Sequence, residues 1–282
     1  LCTSKDSQNS FNYSNMNAPQ AKKIEKILES HGDKRVDDYF WMKERENPEV
    51  TAYLEEENDY CDLMMKDTST FQQQLFEEMK ARYKEDDESL PYFFNEYWYI
   101  VRFEIGKEYP IFSRKFQNLD QEESILIDVN VLAENQKFFE IGSVAVSPDN
   151  KLMSFSSDNV GRRIYTIQFK NLETGEVYPE QIPNTTGKAV WANDNEHVFY
   201  IRKDESLRAF QVYRHQLGTD SSLDVLVFHE DDETFDVNVF KTKSLEYIFI
   251  GSSSTISDEH RFIPADHVFA EWKIIQPRFK YS

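Results

Sequence analysis

The apolar positions of this chain change period once, and the change divides it. From Asn47 onward, Val50, Tyr53, Leu54, Cys61 and Met64 recur at three- and four-residue multiples. Asn47-Pro48-Glu49 supplies an N-cap, a proline suited to the first helical position and an acid in the first turn. A second stripe, Phe71, Leu75, Met79 and Tyr83, begins after Asp67-Thr68-Ser69-Thr70, with Glu78 four residues before Arg82. The spacing predicts two amphipathic helices joined by a short turn, their aromatic and methionine stripe docking on the body of the protein. Residues 1–20, polar and poor in apolar positions, read as a disordered leader, and 21–89 as a helical N-terminal extension.

Beyond the charge run Lys84-Glu85-Asp86-Asp87-Glu88, read as a solvated linker, the period becomes two. Tyr97 to Phe103, a turn at Gly106-Lys107, Tyr109 to Lys115 and Ser124 to Val129 form a first group of strands. A second group opens at Ser143, turns at Ser147-Pro148-Asp149-Asn150 and runs through Leu152 to Ser156, Arg163 to Phe169 and Glu176 to Ile182. Lys188 to Trp191 with the turn Ala192-Asn193-Asp194-Asn195, and Asp236 to Val239 with the turn Lys241-Thr242-Lys243-Ser244, open two more groups in the same way. Four strands at a period of roughly 45–50 residues mark β-propeller blades. The fold class is therefore mainly β: an N-terminal α-helical extension followed by a partial β-propeller of about four blades, at about 90–142, 143–187, 188–234 and 235–270. Residues 271–282 are expected to open a further blade.

Composition narrows the partners. With 51 Asp+Glu against 32 Lys+Arg, the formal net charge is -19, which repels nucleic acid and attracts cationic peptides. Hydrophobic residues at 39% suffice for a sizeable core, and the two cysteines, Cys2 and Cys61, offer no disulfide framework. No apolar run approaches the roughly 20 residues of a transmembrane segment. Leu1-Cys2 has the outline of a lipoprotein signal end, although Leu is a poor fit to the small residue such sites favour. A cytoplasmic location is expected, with a periplasmic or lipid-anchored one as the alternative.

The residues themselves point to no reaction. None of the eight glycines forms Gly-x-Ser-x-Gly, so there is no nucleophile elbow, and no phosphate loop, Cys-x-x-Cys or His-Glu-x-x-His is present. No catalytic residue, cofactor or metal site is assigned. His229-Glu230-Asp231-Asp232-Glu233 lacks the turn glycine of a calcium loop and reads as a solvated acidic connection. Asp149, Asp194 and Asn195 read as turn formers. Arg162 and Arg163, adjacent cations after Gly161 in an acidic chain, are candidate interdomain or pore-facing residues, strand alternation sending one to each face. The competing reading is that they cover apolar strand surface and pair with acids.

Several runs carry a family resemblance. Asp38-Tyr39-Phe40-Trp41-Met42-Lys43, Glu46-Asn47-Pro48-Glu49-Val50 and Tyr53-Leu54-Glu55-Glu56-Glu57-Asn58 are similar to the N-terminal helical segment of the prolyl oligopeptidase family. Leu75 to Arg82, Tyr97-Trp98-Tyr99, Asp128-Val129-Asn130, Ser147-Pro148-Asp149-Asn150, Gly161 to Tyr165, Asn171 to Gly175, Trp191 to Asp194, Val212 to Thr219 and Asp232 to Phe235 resemble its oligopeptidase B (protease II) branch. The resemblance implies a two-domain serine peptidase. Its seven-bladed propeller covers an α/β-hydrolase domain that carries Ser, Asp and His, and the enzyme cleaves short peptides after Lys or Arg. Those catalytic residues and the acids that recognise the basic side chain would follow Ser282, so none is placed in this chain. The implied partners are short basic peptides and the chain's own C-terminal hydrolase domain. The propeller would exclude large folded substrates. The alternative is a non-enzymatic propeller that serves as an interaction scaffold.

Overall fold

The computed structural model describes residues 17–279 and divides after Lys84 into two compact units. Most of the expected leader, residues 1–16, lies outside the described residues.

The first unit is not helical throughout. Strands β1 (Lys26–Ser30) and β2 (Asp33–Asp37) pair antiparallel around the two-residue turn His31-Gly32. Both turn residues have positive φ, 52° and 82°, which is the hairpin geometry that matches strand twist. This hairpin corrects the reading of 21–89 as helical: a two-residue turn containing glycine decides the local structure where no helical stripe exists. A single 3-10 turn at Phe40–Lys43 buries Trp41, whose indole N–H donates to the Lys22 carbonyl at 2.8 Å. Helix α1 (Pro48–Met65) starts as expected, the Asn47 side chain accepting the Glu49 N–H at 3.0 Å. A 3-10 turn at Lys66–Thr68 leads into α2 (Ser69–Lys80). Of the stripe expected to dock, Phe71, Met79 and Tyr83 are each more than half exposed, and no residue of α2 is buried.

The second unit is an antiparallel meander. Strands β3 (Tyr92–Phe94), β4 (Tyr97–Arg102), β5 (Ile111–Phe116) and β6 (Ser124–Asp128) form one sheet in chain order, followed by the short helix α3 (Val129–Leu132). Seven strands make the next sheet: β7 (Glu140–Val146), β8 (Leu152–Asp158), β9 (Tyr165–Asn171), β10 (Val177–Trp191), β11 (His197–Lys203), β12 (Ala209–Gln216) and β13 (Val225–His229). The last sheet holds β14 (Asp236–Lys241), β15 (Tyr247–Ser253), β16 (Asp258–Pro264) and β17 (Lys273–Gln276).

Four groups of four strands are present, yet two of them share a strand. The first part of β10 pairs with β9 and the last part with β11, the register shifting between them. Asn184 and Gly187, at φ of 59° and 91°, bend the strand without ending it. The expected division at residues 187 and 188 therefore falls inside one strand. Residues 271–282 do not open another group among the described residues, because Lys273–Gln276 pairs with β16 as the fourth strand of the last sheet.

The repeat is visible in its hydrogen bonds. Ser147, Ala192 and Thr242, each following a first strand, donate their N–H to the carbonyls of Leu152, His197 and Tyr247, all at 2.9 Å. The apolar cores lie between successive groups. Tyr99, Leu126, Met153 and Phe155 join the first to the second, Phe169, Ile182, Trp191 and Tyr200 the second to the third, and Phe199, Phe228, Val239, Ile250 and Ile263 the third to the fourth. Each face is buried only against its neighbour, the mutual dependence of propeller blades.

Candidate functional site

The first strands of all four groups meet at one cavity. Phe94 and Asn95 at the end of β3, Val146 of β7, Lys188 and Trp191 of β10, and Phe240 and Lys241 of β14 line a space of about 330 Å³. Its wall is mainly apolar, and its cations are the two lysines. Partial burial pushes the Lys188 ammonium below its ordinary range. Burial does the same to Lys241, opposed by the charges of Asp266 and Asp194. These groups can exclude water and repel cations, but they include no paired nucleophile and base.

The blades are clasped around this cavity by side-chain amides. Asn95 Nδ2 donates to the Pro148 carbonyl at 2.8 Å, and Asn150 Nδ2 returns a bond to the Asn95 carbonyl at 3.1 Å. The Asp149 N–H donates to Asn195 Oδ1 at 2.9 Å, linking the second group to the third. Asn193 Nδ2 donates to the Leu245 carbonyl at 3.0 Å and its backbone N–H to Ala265 at 3.0 Å, linking the third to the fourth. Asp149 and Asn195 are turn formers, as the sequence suggests, and they also hold neighbouring blades together. Asp194 caps its own turn, accepting the N–H groups of Glu196 and His197 and a bond from the His197 ring at 2.8 Å.

Arg162 and Arg163 stand elsewhere. Both precede β9 in the connection from β8, with exposed side chains, and neither lines the cavity. Strand alternation does not govern them, because Arg163 has a φ of 56° and the strand begins at Tyr165. The turn is built on buried Asp158, whose carboxylate accepts the N–H groups of Val160 at 2.8 Å, Gly161 at 3.0 Å and Arg163 at 2.6 Å. Burial works to raise this carboxyl, but the backbone donors hold it below the usual range.

Sequence reasoning missed two polar clusters. In the third group His215, 1% exposed, stacks on Phe169, and its Nδ1 lies 2.7 Å from Asp224, which also accepts the Tyr200 hydroxyl at 2.7 Å. The second cluster corrects the reading of residues 229–233 at one position: His229, Asp231, Asp232 and Glu233 are exposed as expected, but Glu230 is buried and paired with Arg278. Neither has a local signal, since their members are brought together by strand pairing across 9 to 48 residues. Among the described residues no group of His, Cys, Asp and Glu could hold a metal ion, and no helix is long and apolar enough to cross a membrane.

Comparison with known proteins places this architecture. Dipeptidyl aminopeptidase BI of Pseudoxanthomonas mexicana is 37% identical over 263 residues, covering 87% of this chain and 36% of that protein. Protease 2 of Moraxella lacunata is 33% identical over 270 residues, covering 93% of this chain and 39% of that protein. Among solved structures, oligopeptidase B from Leishmania major superposes with a TM-score of 0.87 at 30% identity, covering 94% of this chain and 40% of that one. Oligopeptidase B from Trypanosoma brucei with covalently bound antipain, in a closed form, gives 0.86 at 28% identity with the same coverage. The chain thus spans 36% to 40% of the length of these relatives. The family model of the prolyl oligopeptidase N-terminal beta-propeller domain matches residues 19–281, and the chain belongs to that family.

Proposed function

We propose that this domain is part of a serine oligopeptidase that hydrolyses short peptides after Lys or Arg. The propeller limits access to small substrates, and an α/β-hydrolase domain of the same polypeptide is its partner. One observation carries the access role: the four first strands leave about 330 Å³ between them, room for a few side chains and not for a folded domain. The net charge of -19 favours cationic peptides over the whole surface. Likeness to Protease 2 and to oligopeptidase B supports a peptidase as the whole protein.

The full-length protein is expected to cleave fluorogenic Arg and Lys peptides, to be blocked by a serine-directed inhibitor, and to leave a folded protein of matching sequence intact. Preference for Pro, Leu or acidic residues would overturn the specificity, and ready cleavage of folded proteins the access role. The 282-residue chain alone is expected to be inactive, because it holds no Gly-x-Ser-x-Gly. Inhibitor-sensitive turnover by that chain would refute the assignment of the chemistry to another domain.

A further inference from the structure

Arg278, two residues beyond β17, reaches back across the last sheet into a site made by four other residues. Its Nη1 donates to Glu230 Oε1 at 3.2 Å and its Nη2 to Glu230 Oε2 at 2.6 Å, the two-pronged fit of a guanidinium to a carboxylate. Nη2 lies 3.4 Å from Ser252 Oγ and 3.6 Å from Glu259 Oε1. The guanidinium carbon sits 3.9 Å from the centre of the Phe235 ring. Glu230, Ser252, Glu259 and Phe235 are all buried, at 4%, 2%, 6% and 6% exposure.

The site has supports that do not involve Arg278. Ser252 Oγ donates to Glu230 Oε2, and the Asp232 N–H donates to Glu230 Oε1 at 3.1 Å. Glu259 Oε1 accepts from Arg261 Nη2 at 2.5 Å, and the Arg261 guanidinium lies 4.6 Å from the Phe228 ring. Both carboxylates are therefore fixed before the occupant arrives. Two acids against one built-in cation, Arg261, leave one negative charge to be matched in a buried place. An unmatched buried charge is costly, so the site demands a cation. A planar fork and a ring face select guanidinium over ammonium, which would meet one oxygen at a time and stack poorly. The bonds to Glu230 hold the Arg278 guanidinium above its ordinary range, while burial of Glu230 is outweighed by Arg278 and Ser252, so its carboxyl lies below its own.

Beside the site the tail is loosely packed. Ser257, Asp258, His260, Gln276, Pro277 and Phe279 border a cavity of about 370 Å³, and the Arg278 backbone N–H donates to Glu259 Oε2 at 3.2 Å, so main chain and guanidinium together hold this segment.

We infer that Glu230, Ser252, Glu259 and Phe235 form a guanidinium-binding site, filled in this protein by Arg278 and able to take the arginine side chain of a peptide in its place. The inference does not depend on the peptidase reading, because it is tested by binding alone. The test replaces Arg278→Ala in the full-length protein and follows thermal unfolding and calorimetric binding with N-acetyl-arginine amide, N-acetyl-lysine amide and methylguanidinium at equal ionic strength. The variant is expected to melt several degrees below the parent. Millimolar arginine amide or methylguanidinium restores most of the loss, and lysine amide does not. The parent gains nothing from any of them, and adding Glu230→Gln abolishes the rescue. Should Arg278→Ala fail to fold, the yield of its refolding with and without methylguanidinium gives the same comparison. Equal effects of arginine and lysine amides, or no rescue in either melting or refolding, would overturn the site.

Discussion

Replacing Asn193→Ala removes one side chain from the seam between the third and fourth blades and should loosen that seam selectively. The lost bond is the 3.0 Å donation from Nδ2 to the Leu245 carbonyl, while the backbone bond from Asn193 to Ala265 survives. A side-chain hydrogen bond contributes about 1 kcal/mol net, and a buried acceptor left without a partner raises the cost to about 1–3 kcal/mol. Leu245 lies in a turn at the rim of the cavity, where water can replace the donor, so about 1 kcal/mol is expected. For a domain of this size that lowers the melting temperature by roughly 2–4 °C. The more telling measurement is amide hydrogen exchange. Protection should fall in β14 and β15, where the fourth blade meets the third, and stay unchanged in β7 to β9. Asn195→Ala, which removes the acceptor of the Asp149 N–H, should instead loosen the seam between the second and third blades. The two side chains belong to one turn, where Asn195 Nδ2 donates to the Asn193 carbonyl at 3.5 Å, so the double variant should depart from the sum of the two costs. Uniform loss of protection in both variants, or a melting temperature identical to the parent, would refute the view that these amides act as seam-specific clasps.

Gly187→Ala should cost roughly 1–3 kcal/mol. Its φ is 91°, and a Cβ there would meet Ser156 Oγ at 2.8 Å and the Tyr165 ring at 2.9 Å, whereas Gly175→Ala, with φ 78° and open space, should cost less; equal urea midpoints would contradict this. Asp158 has a carboxyl lowered by folding, so its stabilisation is full above the ordinary carboxylate range and is lost as pH falls through the folded value. Asp158→Asn should therefore flatten the acid limb of the stability profile, and an unchanged limb would exclude the turn as its source. Arg162→Ala and Arg163→Ala in the full-length protein test the interdomain role: one should alter peptide turnover and its salt dependence with little change in melting, since exposed pairs contribute only about 0–1 kcal/mol. Kinetics matching the parent for both would make them ordinary surface residues.

Local chemistry was legible wherever neighbours in sequence are also neighbours in space. The switch from helical to alternating apolar spacing near residue 90, the cap at Asn47-Pro48 and the recurring turns at Ser147, Ala192 and Thr242 are short-range effects, and they were enough to read helices, strands and blades. The His31-Gly32 hairpin was equally local and was missed because its strands, Lys26–Ser30 and Asp33–Asp37, are too polar to show alternation. Partnership between strands was different. Whether Lys273–Gln276 ends one sheet or starts another depends on which edge is free to pair, and alternation is the same in both cases. The continuity of β10 rests on two residues with positive φ that bend a strand as readily as they end one. Glu230 looks like any acid in an acidic run until strand pairing brings Ser252, Glu259 and Arg278 around it, from 22 to 48 residues away. Period and turn chemistry are properties of a segment, whereas register, burial of charge and the clasping of blades are properties of contacts that exist only once the sheets have packed.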